Sequence, residues 1–136
     1  MQKIGKSEGE LIGGNLSLLT NIIGTKCDIN YHKKVLFIED LNEQLYHLDR
    51  MMVQMKRCGK FENLSGLIVG NFSDMKDCDT PFGKNAQEII FEHVENYNFP
   101  IIFGFPAGHT DENKALIFGR KITLNISEKG AKIKFL

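Results

Sequence analysis

The chain has no tryptophan, few prolines and cysteines, and no net charge, with 17 basic residues against 17 acidic ones. Each shortage excludes something. Cys27, Cys58 and Cys78 stand far apart and form no C-x-x-C, which argues against a zinc knuckle, a redox pair or a disulfide scaffold. Unpaired thiols fit a reducing compartment, so a cytoplasmic location is expected. Balanced charge argues against bulk phosphate binding, which needs a basic excess to displace counterions, and no nucleic-acid partner is expected. No apolar run approaches the roughly 18 residues of a membrane span. The polar stretch from Met1 to Glu8 does not read as a signal peptide. The G-x-S-x-G nucleophile signature is missing too: Ser7, Ser17, Ser65, Ser73 and Ser127 all lie outside it. No ligand cluster is visible, so neither a metal nor a cofactor is expected.

What is present is an ordinary globular composition. The 136 residues are 42% hydrophobic and 25% charged. That is one domain, 1–136, with enough apolar surface for a real core.

The pattern along the chain alternates strands with helices. Residues 9–14 read as a short extended segment ending in a glycine turn. Asn15 is the expected N-cap of a short helix carrying Leu16, Leu19 and Ile23, closed by Gly24. Val35-Leu36-Phe37-Ile38 is a continuous apolar run, the mark of a strand buried on both faces. Leu45, Leu48, Met52 and Met55 recur at helical spacing, with Asn42 as the expected N-cap and Gly59 as the stop. Leu67-Ile68-Val69 predicts a second strand, 85–97 a third helix and 100–104 a third strand. Ile122, Leu124 and Ile126, then Ala131, Ile133 and Phe135, alternate with polar residues around a turn at 127–130, which predicts a C-terminal hairpin. The expected fold is therefore α/β, a mostly parallel sheet with flanking helices and a C-terminal β-hairpin.

In such folds chemistry gathers past the carboxyl ends of strands. Three predicted strand ends carry Glu39-Asp40, Gly70-Asn71 and Gly108-His109. An acid and an imidazole at neighbouring ends form two-thirds of a nucleophilic triad, the acid fixing the tautomer and stabilising the imidazolium. The nucleophile is the missing third. Ser73, in Gly70-Asn71-Phe72-Ser73-Asp74, is the nearest approach to a nucleophile loop and a poor one. His32, His47 and His93 read as solvated, and Met51, Met52 and Met55 as packing.

Several stretches taken together resemble a known family. They are Gly13-Gly14-Asn15-Leu16, Val35 to Asp40 with Glu43, Tyr46-x-x-Asp49-Arg50, Gly66 to Phe72, and Ile101 to His109 with Asn113. In this order and spacing the chain resembles the C-terminal domain of the LD-carboxypeptidases, serine peptidases that include muramoyl-tetrapeptide carboxypeptidases and microcin self-immunity proteins. The resemblance implies a swivelling β/α/β-like domain and a Ser-His-Glu triad split over two domains. By motif it implies Glu39 as the triad acid, with Glu43 as its rival, His109 as the triad base, and Asn15 near the substrate. It implies a murein peptide substrate losing terminal D-alanine, or an aminoacyl-nucleotide in the microcin branch, and a homodimer. It also implies a partner, an N-terminal nucleophile domain in cis or in trans, which these residues do not include. The chain alone is therefore expected to be inactive. A non-catalytic binding module derived from the same family is the alternative expectation, and a stand-alone hydrolase using Ser73 a weaker one.

Overall fold

A computed structural model describes all 136 residues. The elements are β1 (Gln2–Lys3), β2 (Gly5–Asn15), α1 (Leu16–Asn21), β3 (Lys34–Leu41), α2 (Leu45–Arg57), β4 (Gly66–Ser73), α3 (Ala86–Val94), β5 (Ile101–Ile102), β6 (Lys121–Ser127) and β7 (Gly130–Phe135). They build one seven-stranded sheet in the order β1-β5-β4-β3-β2-β6-β7. The central strands β2 to β5 run parallel, as the alternation of strands and helices requires. The sheet is mixed because β1 joins β5 antiparallel and the hairpin β6–β7 adds antiparallel to β2.

Strand alternation sends successive side chains to opposite faces, and the faces are covered differently. One face carries Ile12, Leu36, Ile38, Leu67, Val69 and Ile101, and all three helices pack on it. The other carries Leu11, Val35, Phe37, Ile68 and the inward residues of β6, Ile122, Leu124 and Ile126. No helix covers that second face; Phe105, Ala107 and Leu116, from the segment between β5 and β6, close over it instead. This segment carries His109.

Local chemistry explains most boundaries. Asn15 caps α1, its Oδ1 accepting from the Leu18 amide at 3.2 Å. Helix α2 buries Leu45, Leu48, Met51, Met52 and Met55. It stops at Gly59 in a left-handed turn at φ 67°, with the Lys60 amide on the Met55 carbonyl and the Gly59 amide on that of Lys56. That double closure satisfies the last carbonyls of the helix. Helix α3 opens with a reciprocal capping box, Asn85 with Glu88.

Several expectations need correction. Asn42 is not a cap: it sits at φ 60° in the turn after β3, and Gln44 takes the N-cap position with no side-chain bond. Strand β2 begins at Gly5 rather than Gly9, since pairing with β6 overrides the low strand propensity of Gly5-Lys6-Ser7-Glu8. Strand β3 continues through Glu39 and Asp40 to Leu41. Strand β5 is only Ile101–Ile102, and α3 ends at Val94.

Removing packed volume beneath α2 should therefore be costly. Met52→Ala is expected to lower stability by about 3 kcal/mol in urea unfolding. Leu18→Ala, on the exposed side of α1, is expected to change it by no more than about 0.5 kcal/mol.

Candidate functional site

Ile38 pairs with Val69, but the next pair is Asp40 with Phe72, so Gly70 and Asn71 of β4 together oppose Glu39 of β3. This bulge separates the backbones at one point and lets another segment in. The Asn71 amide, released from the ladder, donates to the Ala107 carbonyl at 3.0 Å. Position 70 has no room for a side chain, because a Cβ there would lie 2.6 Å from the Ala107 oxygen and 2.7 Å from the Phe37 ring. The segment through His109 thus docks on the bulge.

It docks where Glu39 points. His109 Nδ1 lies 2.8 Å from Glu39 Oε2, and since a carboxylate only accepts, Nδ1 carries the proton. The two groups are unequal: the Glu39 side chain is 7% exposed and that of His109 51%. The acid is held inside the sheet while the far edge of the imidazole faces outward. Gly108 makes the approach possible. Its φ of 117° belongs to glycine, and a Cβ there would stand 2.8 Å from Glu39 Oε2. Asn113 braces the same turn, its Nδ2 donating to the Gly108 carbonyl at 2.9 Å.

Asp40 points to the opposite face and is the hub of a second network. Its carboxylate accepts from Asn15 Nδ2 at 2.8 Å, the Ser17 amide at 3.0 Å, Ser17 Oγ at 2.9 Å and the Leu41 amide at 2.9 Å. Ser17 Oγ also lies 3.0 Å from Glu43 Oε1, so its one proton serves two acids in turn. Glu43 Oε2 is 2.5 Å from His47 Nδ1. Burial resists ionisation of Glu43, but the bonds from His47 and Ser17, the charge of His47 and the Gln44 amide outweigh it and hold the carboxyl below its ordinary range.

The structure therefore brings Glu39 and His109 together. It sets Asn15 and Glu43 in a neighbouring cluster organised by Asp40, and Glu43 meets His47 rather than His109. Ser73, the nearest nucleophile candidate, has its hydroxyl on the His109 main-chain carbonyl at 2.6 Å. Of the histidines read as solvated, His47 is bound to Glu43, and His93 is mostly buried with Nε2 2.7 Å from Asp49 Oδ1. Sequence reasoning placed Asp40, Gly70 and Asn71 at strand ends but gave Asp40 and Ser17 no part in a network and foresaw no bulge at Gly70–Asn71. The signal was there in a second acid ending an apolar run, a charge that burial obliges to find donors.

Residues 8–124 match the family described as the LD-carboxypeptidase C-terminal domain. A probable murein peptide carboxypeptidase of Bacillus subtilis (strain 168) is 37% identical over 130 residues, which is 96% of this chain and 41% of that protein. The Microcin C7 self-immunity protein MccF of Escherichia coli is 29% identical over 130 residues, 95% of this chain and 37% of that protein. The crystal structure of muramoyltetrapeptide carboxypeptidase from Oxalobacter formigenes superposes with a TM-score of 0.87 at 26% identity, covering 99% of this chain and 50% of that one. The chain thus spans about two fifths of the length of the curated relatives it matches.

Two outcomes test this geometry. In Gly108→Ala the new methyl meets Glu39, so the Nδ1–H signal of His109 in the ¹⁵N NMR spectrum should be lost, with about 1–3 kcal/mol of stability. Glu43 has a lowered folded pKa, so its contribution is present above the ordinary value of 4.5 and is lost as pH falls through the folded value. Acid unfolding below about pH 4.5 should accordingly be less steep in Glu43→Gln than in the parent chain.

Proposed function

This chain belongs to the LD-carboxypeptidase C-terminal domain family, and we propose that it supplies the acid and the base of a serine triad that releases terminal D-alanine from murein tetrapeptides. The observation that carries the reading is the Glu39–His109 pair at 2.8 Å, with the acid buried and the outer edge of the imidazole free to meet a second domain. The serine comes from the N-terminal nucleophile domain, in cis or in trans.

The chemistry is acyl transfer. The serine hydroxyl attacks the carbonyl of the amide that joins D-alanine to the L-centre, and His109 Nε2 takes its proton. The C–N bond then breaks, His109 returns the proton to the leaving amine, and water hydrolyses the acyl-serine by the same route. Glu39 keeps Nδ1 protonated, so that Nε2 is the basic nitrogen, and offsets the charge of the imidazolium. Asn15 spends one Nδ2 proton on Asp40 and one Oδ1 lone pair on Leu18. Its second proton and second lone pair are left for the substrate. Exposed, unpaired Cys27, Cys58 and Cys78 support a reducing, cytoplasmic setting. The family resemblance supports a homodimer.

The test is a release assay on a murein L,D-tetrapeptide, with the chain alone and mixed with a separately produced N-terminal domain of a relative. D-alanine should appear only on mixing. It should disappear in His109→Ala and fall about 10³–10⁴-fold in Glu39→Gln, where the tautomer is no longer held. Release by the chain alone, indifferent to His109→Ala, would overturn the reading. No release from domains that demonstrably associate would favour a binding module instead.

A further inference from the structure

An exposed histidine can act as a base only if something other than burial holds it still. His109 is half exposed, and its ring has one anchor, Glu39. Glu39 is fixed by its place in β3, whereas His109 lies on a long connecting segment outside any strand or helix. The distance between them therefore depends on how that segment is tied to the sheet.

The ties come from the end of β4. Beyond the bulge, Phe72 and Ser73 pair again with Asp40 and Leu41, so Ser73 stands on the strand that flanks the acid. Its hydroxyl donates to the His109 carbonyl at 2.6 Å. The Ser73 oxygen in turn accepts from Asn71 Nδ2 at 2.9 Å, and the Asn71 amide holds the Ala107 carbonyl. Asn71 thus donates twice, from its side chain to Ser73, which passes on to the His109 carbonyl, and from its main-chain amide to the Ala107 carbonyl. A hydroxyl that already accepts is polarised toward donating, which strengthens its bond to the carbonyl.

We propose that Ser73 is a positioning residue: its hydroxyl clamps the main chain of His109 to β4 and thereby holds the imidazole against Glu39. The role rests on the proposed function of His109 as the base. In this arrangement the Ser73 proton is engaged by the His109 carbonyl. Without the hydroxyl the peptide plane after His109 keeps only the Thr110 amide's bond to the Gly108 carbonyl, at 3.1 Å within the same turn, and nothing ties it to β4; the ring swings away from Glu39, and the preference for a protonated Nδ1 goes with it.

A matched pair of substitutions isolates the hydroxyl. Threonine and valine have the same shape and both suit a strand, but only threonine donates. The readout is the ¹⁵N spectrum of the His109 ring in the 136-residue chain by itself at mildly alkaline pH. Ser73→Thr is expected to keep a single protonated-Nδ1 tautomer, and Ser73→Val to lose it to averaged tautomers while the melting temperature drops by only about 4 °C. Should Ser73→Val fail to fold, Ser73→Ala is read against Ser73→Thr in the same way. A wild-type ring spectrum in the hydroxyl-free variant would overturn the proposal, and so would an equal loss in Ser73→Thr. Since the spectrum needs no partner domain, absence of D-alanine release bears on the proposed function and not on this clamp.

Discussion

A carboxylate drawn into a β-sheet has to be met by donors, and the region around β3 is organised by that demand. Two acids follow the apolar run of this strand, and alternation sends them to opposite faces. Asp40 turns toward the helices and gathers four donors from Asn15, Ser17 and Leu41. Glu39 turns toward the helix-free face and gathers the imidazole of His109. An unpaired buried charge costs several kcal/mol, so each acid is as much a constraint on its surroundings as a functional group.

The bulge between β3 and β4 is what makes the second arrangement possible. An unbroken ladder would bring β4 against Glu39 and use the amide of Asn71. Displacing Gly70 and Asn71 gives the segment after β5 a place to dock; glycine at 70 leaves room for the Ala107 carbonyl beside the Phe37 ring, and glycine at 108 lets the backbone of that segment lie against Glu39. The glycines stand where a Cβ cannot, which is a matter of space at 70 and of both space and backbone angle at 108.

The sheet is also asymmetric in its cover. Helices seal one face with a large core, in which the methionines of α2 fill the space. An irregular segment closes the other over a smaller cluster. Irregular backbone is the better carrier for a side chain that must present one edge to a neighbour, provided its main chain is tied down. Gly108 and His109 are so tied, by Asn113 and Ser73.

Residue order by itself determined the helix over Leu45 to Met55 and the C-terminal hairpin, because burial imposes the 3.6 and 2.0 repeats directly on it, the parallel core through its continuous apolar runs, and the cap at Asn15 through the capping chemistry of its side chain. It also pointed to Glu39 and His109 as residues at strand ends, and the family motifs joined them, whereas β3 runs on past Glu39 to Leu41 and His109 lies on the segment well beyond β5. Only the tertiary structure decided that β2 starts at Gly5, that Asn42 turns instead of capping, and that His93 is bound to Asp49. These depend on partners distant in sequence, which local propensity does not see. The choice between Glu39 and Glu43 as the neighbour of His109 was of the same kind. Both acids lie within five residues in one motif, and the face toward which a strand points Glu39, with a bulge opposite it, is settled only when β4 and the segment after β5 pack beside it.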